Sequence, residues 1–147
     1  MRPQGFSLLE LLVVLALFAL ASAGVVMAMR DPQSQQLERE AQRLTTLLEV
    51  ARAESRASGM AVTWRPVRDD GSADQFRFQG LPVTRTMPTR WLAEAPQVRI
   101  EAPDRTALHL GPEPVVGAQR LQLSLGDSSV WIGTDGMAPF SLQSPPP

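Results

Sequence analysis

Few side chains in this sequence are of the types that perform catalysis. The single histidine is His109, and cysteine is absent. A Ser-His-Asp or Cys-His site needs a base beside its nucleophile, so any such site would have to be built around His109. This histidine lies between Leu108 and Leu110 in a run that predicts a strand, with the imidazole pointing to solvent or to a loop. We therefore expect no enzymatic activity and no cofactor.

Three carboxylates near the middle of the chain could hold a metal ion. Asp69, Asp70 and Asp74 share one segment with a glycine and a serine, and such a loop could gather their oxygens around calcium. Their spacing does not follow the EF-hand pattern. A solvated turn is the favoured interpretation and no metal site is expected, with calcium binding left as an open alternative.

Glu10 is the one charged residue in the apolar run 6–29, FSLLELLVVLALFALASAGVVMAM. A carboxylate inside an apolar helix is costly unless it is paired or lies near an interface. Along the segment no Lys, Arg or His lies within a helical turn or two, so a partner has to come from elsewhere. A cut between Gly5 and Phe6 would create an α-amino group that a neighbouring copy or relative could bring to Glu10. Alternatively, Glu10 snorkels to the cytoplasmic headgroups.

The segment that positions Glu10 has a membrane-spanning length. Its 24 residues would extend about 36 Å as a helix, against a hydrocarbon core of about 30 Å. We predict a transmembrane helix over 6–29, preceded by a short leader at 1–5, in which Arg2 favours a cytoplasmic N-terminus. A signal peptide cut near Ala21-Ser22-Ala23 is the alternative.

These N-terminal residues also resemble a known processing site. Gly5-Phe6-Ser7-Leu8-Leu9-Glu10, followed by an apolar helix, resembles the start of type IV pilins and pseudopilins. The resemblance implies that a prepilin peptidase cuts after Gly5 and methylates the new amine of Phe6. It also implies that Glu10 guides insertion into a growing filament. Ser7 stands where threonine is commoner.

A second helix is predicted after the apolar segment. Asp31 can cap it and Pro32 suits its first position, while the periodic pattern extends over about 36–58 and Gly59 closes it. Its apolar stripe consists of Leu37, Ala41, Leu44, Leu48 and Ala51. The charged residues of its other faces are Glu38, Arg39, Glu40, Arg43, Glu49, Arg52, Glu54 and Arg56. Because these charges balance, they predict a solvated surface with local ion pairs.

Beyond Gly59 the pattern alternates and predicts a β-rich region over 60–142, before a disordered proline tail at 143–147. Gly126-Asp127 and Asp135-Gly136 lie between candidate strands and suit turns that need positive φ, so neighbouring strands should pair antiparallel. Trp64, Trp91 and Trp131 are expected to fill core. The candidate strands are 60–64, 75–78, 98–101, 107–110, 121–125, 130–132 and 140–142.

The second half of the chain carries another resemblance. The segments 110–114 (LGPEP), 119–123 (QRLQL), 130–136 (VWIGTDG) and 139–140 (PF) are similar to general secretion pathway protein H, the H-type minor pseudopilin family of type II secretion. This implies an α+β, pilin-like fold, with a long N-terminal helix leading to a β-rich domain at 30–147. It further implies a single-pass protein of the bacterial inner membrane, with its domain in the periplasm. Its partners would be the other minor pseudopilins, the major pseudopilin and the prepilin peptidase.

Two other classes of function compete with a secretion filament subunit. A minor type IV pilin used in adhesion, motility or DNA uptake would share all of these N-terminal features. The net charge of −1 gives nucleic-acid binding no support, and no nucleic-acid partner is expected. A membrane-anchored periplasmic enzyme comes last, since no nucleophile, base and oxyanion donors can be assembled from the sequence.

Overall fold

The computed structural model describes residues 7–28, 31–67 and 73–145. The chain divides into two compact units, one ending at Asp31 and the other beginning at Pro32. The helices and strands of the described residues are α1 (Leu8–Ala28), α2 (Pro32–Ser58), β1 (Thr63–Pro66), β2 (Phe76–Gln79), β3 (Gln97–Glu101), β4 (Leu108–His109), β5 (Gln119–Leu125), β6 (Ser128–Thr134) and β7 (Ser141–Gln143).

In the first unit the described residues form the helix α1. It covers Leu8–Ala28, within the predicted apolar run 6–29. A search of the described residues finds no helix that combines the length and hydropathy of a membrane span.

α2 forms the long helix of the second unit. It begins at Pro32, four residues before the start of the periodic pattern at 36, because proline is suited to the first helical position. It ends at Ser58, and Gly59 follows with φ of 68°, a conformation that glycine adopts without steric cost. The predicted apolar stripe is confirmed, since its five members are at most 1% exposed.

The strands form two antiparallel sheets, with orders β2-β1-β4 and β3-β5-β6-β7. Each predicted strand overlaps an observed one. β5 and β6 are joined by the two residues Gly126 and Asp127, and Gly126 has φ of 55°, as a tight hairpin requires. α2 packs on the four-stranded sheet, against β5, β6 and β7. The α+β class predicted from the sequence is confirmed.

A single apolar core joins α2 to both sheets. The buried stripe of α2 meets the inward faces of β5 and β6, while Trp64 and Phe76 extend the core into the smaller sheet. Trp64 and Trp91 fill core as predicted, with Trp91 in edge contact with Phe76 at 4.8 Å between ring centroids. Trp131 is also buried but lies outside this core cluster, and Arg120 stacks over its ring.

Gln119 connects the two sheets through its side chain. Its Oε1 accepts a hydrogen bond of 2.7 Å from the backbone N of His109, and its Nε2 donates one of 2.8 Å to the backbone O of the same residue. The side chain is 3% exposed. The amide thus takes the place of a neighbouring strand for β4, which belongs to the other sheet.

Replacing Gln119 with alanine should lower the free energy of unfolding by about 2 kcal/mol, since two backbone groups lose their partners. Urea denaturation followed by tryptophan fluorescence measures this. Gln122→Ala is the matched control on the same strand, because Gln122 is half-buried and should cost less than about 0.5 kcal/mol. Equal losses in the two variants would contradict a connecting role for Gln119.

The predicted solvated surface of α2 is wrong at two positions. Glu40 is 1% exposed and Arg52 is 2% exposed. Glu40 accepts hydrogen bonds from the backbone N of Leu92 and, at 3.3 Å, from that of Ala93. Loops that are remote in the sequence cover these side chains and supply their partners, which a helical charge pattern does not reveal.

Candidate assembly site

Ser7 caps the start of α1. Its hydroxyl accepts a hydrogen bond of 3.3 Å from the backbone N of Leu9, and its carbonyl accepts one of 3.1 Å from the backbone N of Leu11. The hydroxyl therefore satisfies one of the amides that a helix leaves unpaired at its N-terminus. Because Ser7 is the cap, Leu8, Leu9 and Glu10 occupy the first three helical positions.

Glu10 stands at the third position of the first turn, where a carboxylate is favoured by the helix dipole. Ser7-Leu8-Leu9-Glu10 also has the Ser-x-x-Glu spacing of a capping box, in which the acid stabilises the helix start. This Ser-x-x-Glu spacing can be recognised in the sequence alone. Glu10 is exposed and has no ion-pair partner among the described residues, so it can receive one from another molecule.

The side chains around Glu10 form an apolar surface. From Leu8 to Leu20 every large apolar side chain is exposed, from 39% at Val14 to 78% at Leu8. Removing such a surface from water is the main driving force for association, so α1 is suited to burial among other apolar helices. Of the predicted processing residues, Gly5 and Phe6 lie outside the described residues.

Within the second unit, α2 binds the loop 135–140 between β6 and β7, and we call this contact the clamp. Arg52 donates hydrogen bonds of 2.7 Å and 2.9 Å to the carbonyls of Gly136 and Ala138. Glu49 accepts one of 2.8 Å from the backbone N of Phe140 and lies 3.7 Å from Arg52. The loop is therefore bound to the helix through main-chain atoms.

Asp135 and Thr134 also stabilise this loop. The Thr134 hydroxyl, at the end of β6, donates a hydrogen bond of 2.6 Å to the carbonyl O of Ala138 and accepts one of 3.0 Å from the backbone N of Gly136. The backbone amides of Ala138 and Met137 donate to the Asp135 carboxylate and hold its pKa below the ordinary value. Gly136 has φ of 100°, and a Cβ there would lie 1.8 Å from the carbonyl O of Val116. The positive φ expected for this turn is found at Gly136, but β6 and β7 are connected by a six-residue loop rather than by the tight hairpin turn that Asp135-Gly136 predicted.

Of the residues considered for catalysis or calcium binding, the structure describes His109 and Asp74. His109 is exposed, as predicted, and its Nε2 lies 3.8 Å from Asp104. Asp74 forms an ion pair of 2.9 Å with Arg77, which lowers the pKa of the carboxylate. Asp69 and Asp70 lie outside the described residues, and within 7–28, 31–67 and 73–145 no group of three His, Cys, Asp or Glu is arranged to hold a metal.

A comparison with protein families finds a match for the N-terminal segment. The family described as the prokaryotic N-terminal methylation motif matches residues 1–26. This match contains Gly5, Phe6 and Glu10, so the start of the chain is similar to that methylation motif. No curated protein matches the chain.

A solved structure shows the same fold. The chain is similar to the type IV minor pilin FimU of Pseudomonas aeruginosa, with a TM-score of 0.53 and 13% identity, over 75% of this chain and 90% of FimU. At this identity the likeness concerns the fold. The chain therefore shares the pilin-like architecture of that structure.

Proposed function

We propose that this chain is a minor subunit of a pilin-like filament, of the H type found in the type II secretion pseudopilus. The observation that carries the proposal is the capped apolar helix α1, with Glu10 in its first turn, on a chain that has the pilin fold. The methylation motif over residues 1–26 supports processing at Gly5-Phe6. The similarity of residues 130–136 to protein H supports the secretion assignment.

In the proposed mechanism the apolar N-terminal segment holds the subunit in the inner membrane, with the domain 30–147 in the periplasm. A prepilin peptidase removes residues 1–5 and methylates the amine of Phe6. The helix then enters a bundle of equivalent helices, where Glu10 meets the amine of a neighbouring subunit. The β-rich domain supplies contacts with the other minor pseudopilins and with the major pseudopilin, and no cofactor is needed.

Processing is the first test. When the chain is co-expressed with a prepilin peptidase, intact mass and N-terminal sequencing should find a product that starts at methylated Phe6. Without the peptidase the chain should keep residues 1–5. Replacement of Gly5 by a bulky residue should block the cut, since the new side chain occupies the scissile position. A chain cut after Ala23 instead would overturn the proposal.

A minor type IV pilin is the second candidate, favoured by the similarity to FimU. The two functions share processing and assembly and differ in the filament that the subunit joins. Deletion of the gene separates them. Loss of protein export across the outer membrane with surface pili intact supports the pseudopilin, while loss of pili, adhesion, motility or DNA uptake with export intact supports the pilin.

A further inference from the structure

Two clefts meet at the loop that follows β3. The larger, of about 470 Å³, is lined by Arg99, Glu101, Arg105 and Arg120. The smaller, of about 280 Å³, is lined by Arg65 and again by Arg105. Ile100 also lines both clefts, and we call the four arginines around them the arginine surface: Arg65, Arg99, Arg105 and Arg120.

Arg120 is held in one orientation on this surface. Its Nε lies 2.6 Å from Oε2 of Glu101, and its guanidinium lies 5.4 Å from the ring centroid of Trp131. The side chain is nevertheless 42% exposed and lines the larger cleft. An arginine fixed in this way loses little conformational entropy when it binds a carboxylate.

Positive charge exceeds negative charge at these clefts. Glu101 lies 3.9 Å from Arg99 and is already the close partner of Arg120. Arg65 and Arg105 are exposed and have no ion-pair partner in the part of the chain that the structure describes. The nearby carboxylate of Asp104 accepts hydrogen bonds from the backbone N and the hydroxyl of Thr106. The four arginines therefore have capacity for further anionic groups.

We propose that the arginine surface binds an acidic segment of a neighbouring filament subunit, with at least two carboxylates. This inference rests on the proposed function, which places the domain among other subunits. The apolar side chains of Val98 and Ile100 line the smaller cleft and suit the methylene groups of Asp or Glu.

The clefts fit a peptide better than a nucleic acid. Stacking on aromatic side chains supplies much of the binding energy of single-stranded nucleic acids. Among the described residues no aromatic side chain lines either cleft, and Trp131, over which Arg120 stacks, is only 7% exposed. The chain as a whole is slightly acidic, so it does not attract a long polyanion from a distance.

The test uses the full chain in phosphatidylcholine nanodiscs and a short fluorescein-labelled oligoglutamate peptide, with binding followed by fluorescence anisotropy. We expect saturable binding that weakens about tenfold in Arg99→Glu/Arg105→Glu, since two attractive pairs become repulsive. The matched control is Arg39→Glu/Arg56→Glu, which makes the same charge change on α2 and should alter the affinity less than about twofold.

Three results would overturn the inference. Equal weakening in both double variants indicates attraction by net charge alone. Displacement of the peptide by oligothymidylate, or by phosphatidylglycerol vesicles, at lower concentration than unlabelled oligoglutamate assigns the surface to nucleic acid or to lipid. Thermal unfolding checks that the variants are folded, and Arg99→Gln/Arg105→Gln replaces the first variant where the reversed charges unfold the domain.

Failure of this inference is distinguishable from failure of the proposed function. If the chain is cut before Phe6 and enters filaments but does not bind oligoglutamate, only the inference about the arginine surface is wrong. If the peptidase leaves the chain uncut, the proposed filament function is wrong, whether or not oligoglutamate binds.

Discussion

Replacing Glu10 with glutamine should lower incorporation into filaments by more than about tenfold, because the amine of the neighbouring subunit then has no counter-charge in an apolar bundle. Cutting after Gly5 and methylation of Phe6 should persist, since Glu10 lies beyond the scissile bond. Filaments sheared from cells and quantified by immunoblot measure the effect, with mass spectrometry reporting the processing.

Glutamine is chosen because it separates the two roles of Glu10. Glutamine can still serve at the third position of a capping box, so the helix start is retained while the charge is lost. Ser7→Ala is the converse variant. It removes the cap, at a cost of about 1 kcal/mol of helix stability, and keeps the charge. Normal assembly of the glutamine variant together with loss in Ser7→Ala would show that Glu10 acts on the helix start alone.

Arg52→Leu should lower the free energy of unfolding of the domain by about 3 kcal/mol, because two hydrogen bonds from a buried guanidinium to the loop 135–140 are lost. The corresponding fall in melting temperature is about 10 °C for a domain of this size. Thermal unfolding of the full chain, followed by circular dichroism in the near ultraviolet, measures both quantities.

Two further variants test whether the loss in Arg52→Leu comes from the hydrogen bonds to the loop. Arg39→Leu makes the same change at an exposed position of α2 and should cost less than about 0.5 kcal/mol. Arg52→Lys keeps the charge but cannot donate to both carbonyls in the fork geometry of arginine, so it should fall between the two. A melting temperature of Arg52→Leu within a degree or so of Arg39→Leu would contradict the clamp.

Local patterns in the sequence predict the elements of this fold well. Pro32 and Gly59 delimit α2, and the spacing of Leu37 and its stripe selects the buried face, because each depends on neighbours within two helical turns. The hairpin at Gly126-Asp127 is predictable for the same reason. Glu40 and Arg52 were assigned to solvent wrongly, since their partners lie about 50 and 85 residues further along the chain.

The same distinction between local and remote contacts applies to the candidate sites. Ser7 and Glu10 are only three positions apart in the sequence, so both the capping spacing and the unpaired charge can be recognised without a structure. The arginine surface cannot, because Arg65, Arg99 and Arg120 belong to three strands in two different sheets. The bond from Gln119 to His109 likewise joins strands whose relation depends on how the sheets stack.

The clamp on α2 has a consequence for which substitutions the domain tolerates. Glu40, Glu49 and Arg52 reach the loops through backbone N and O atoms, which every residue type except proline supplies in full. Side chains at the loop surface, such as Leu92 and Met137, are exposed and take no part in these bonds. The outward side chains of these loops can therefore be substituted while α2 still holds the loop backbone in place. The residues that contact other proteins can then vary without a change in the fold of the domain.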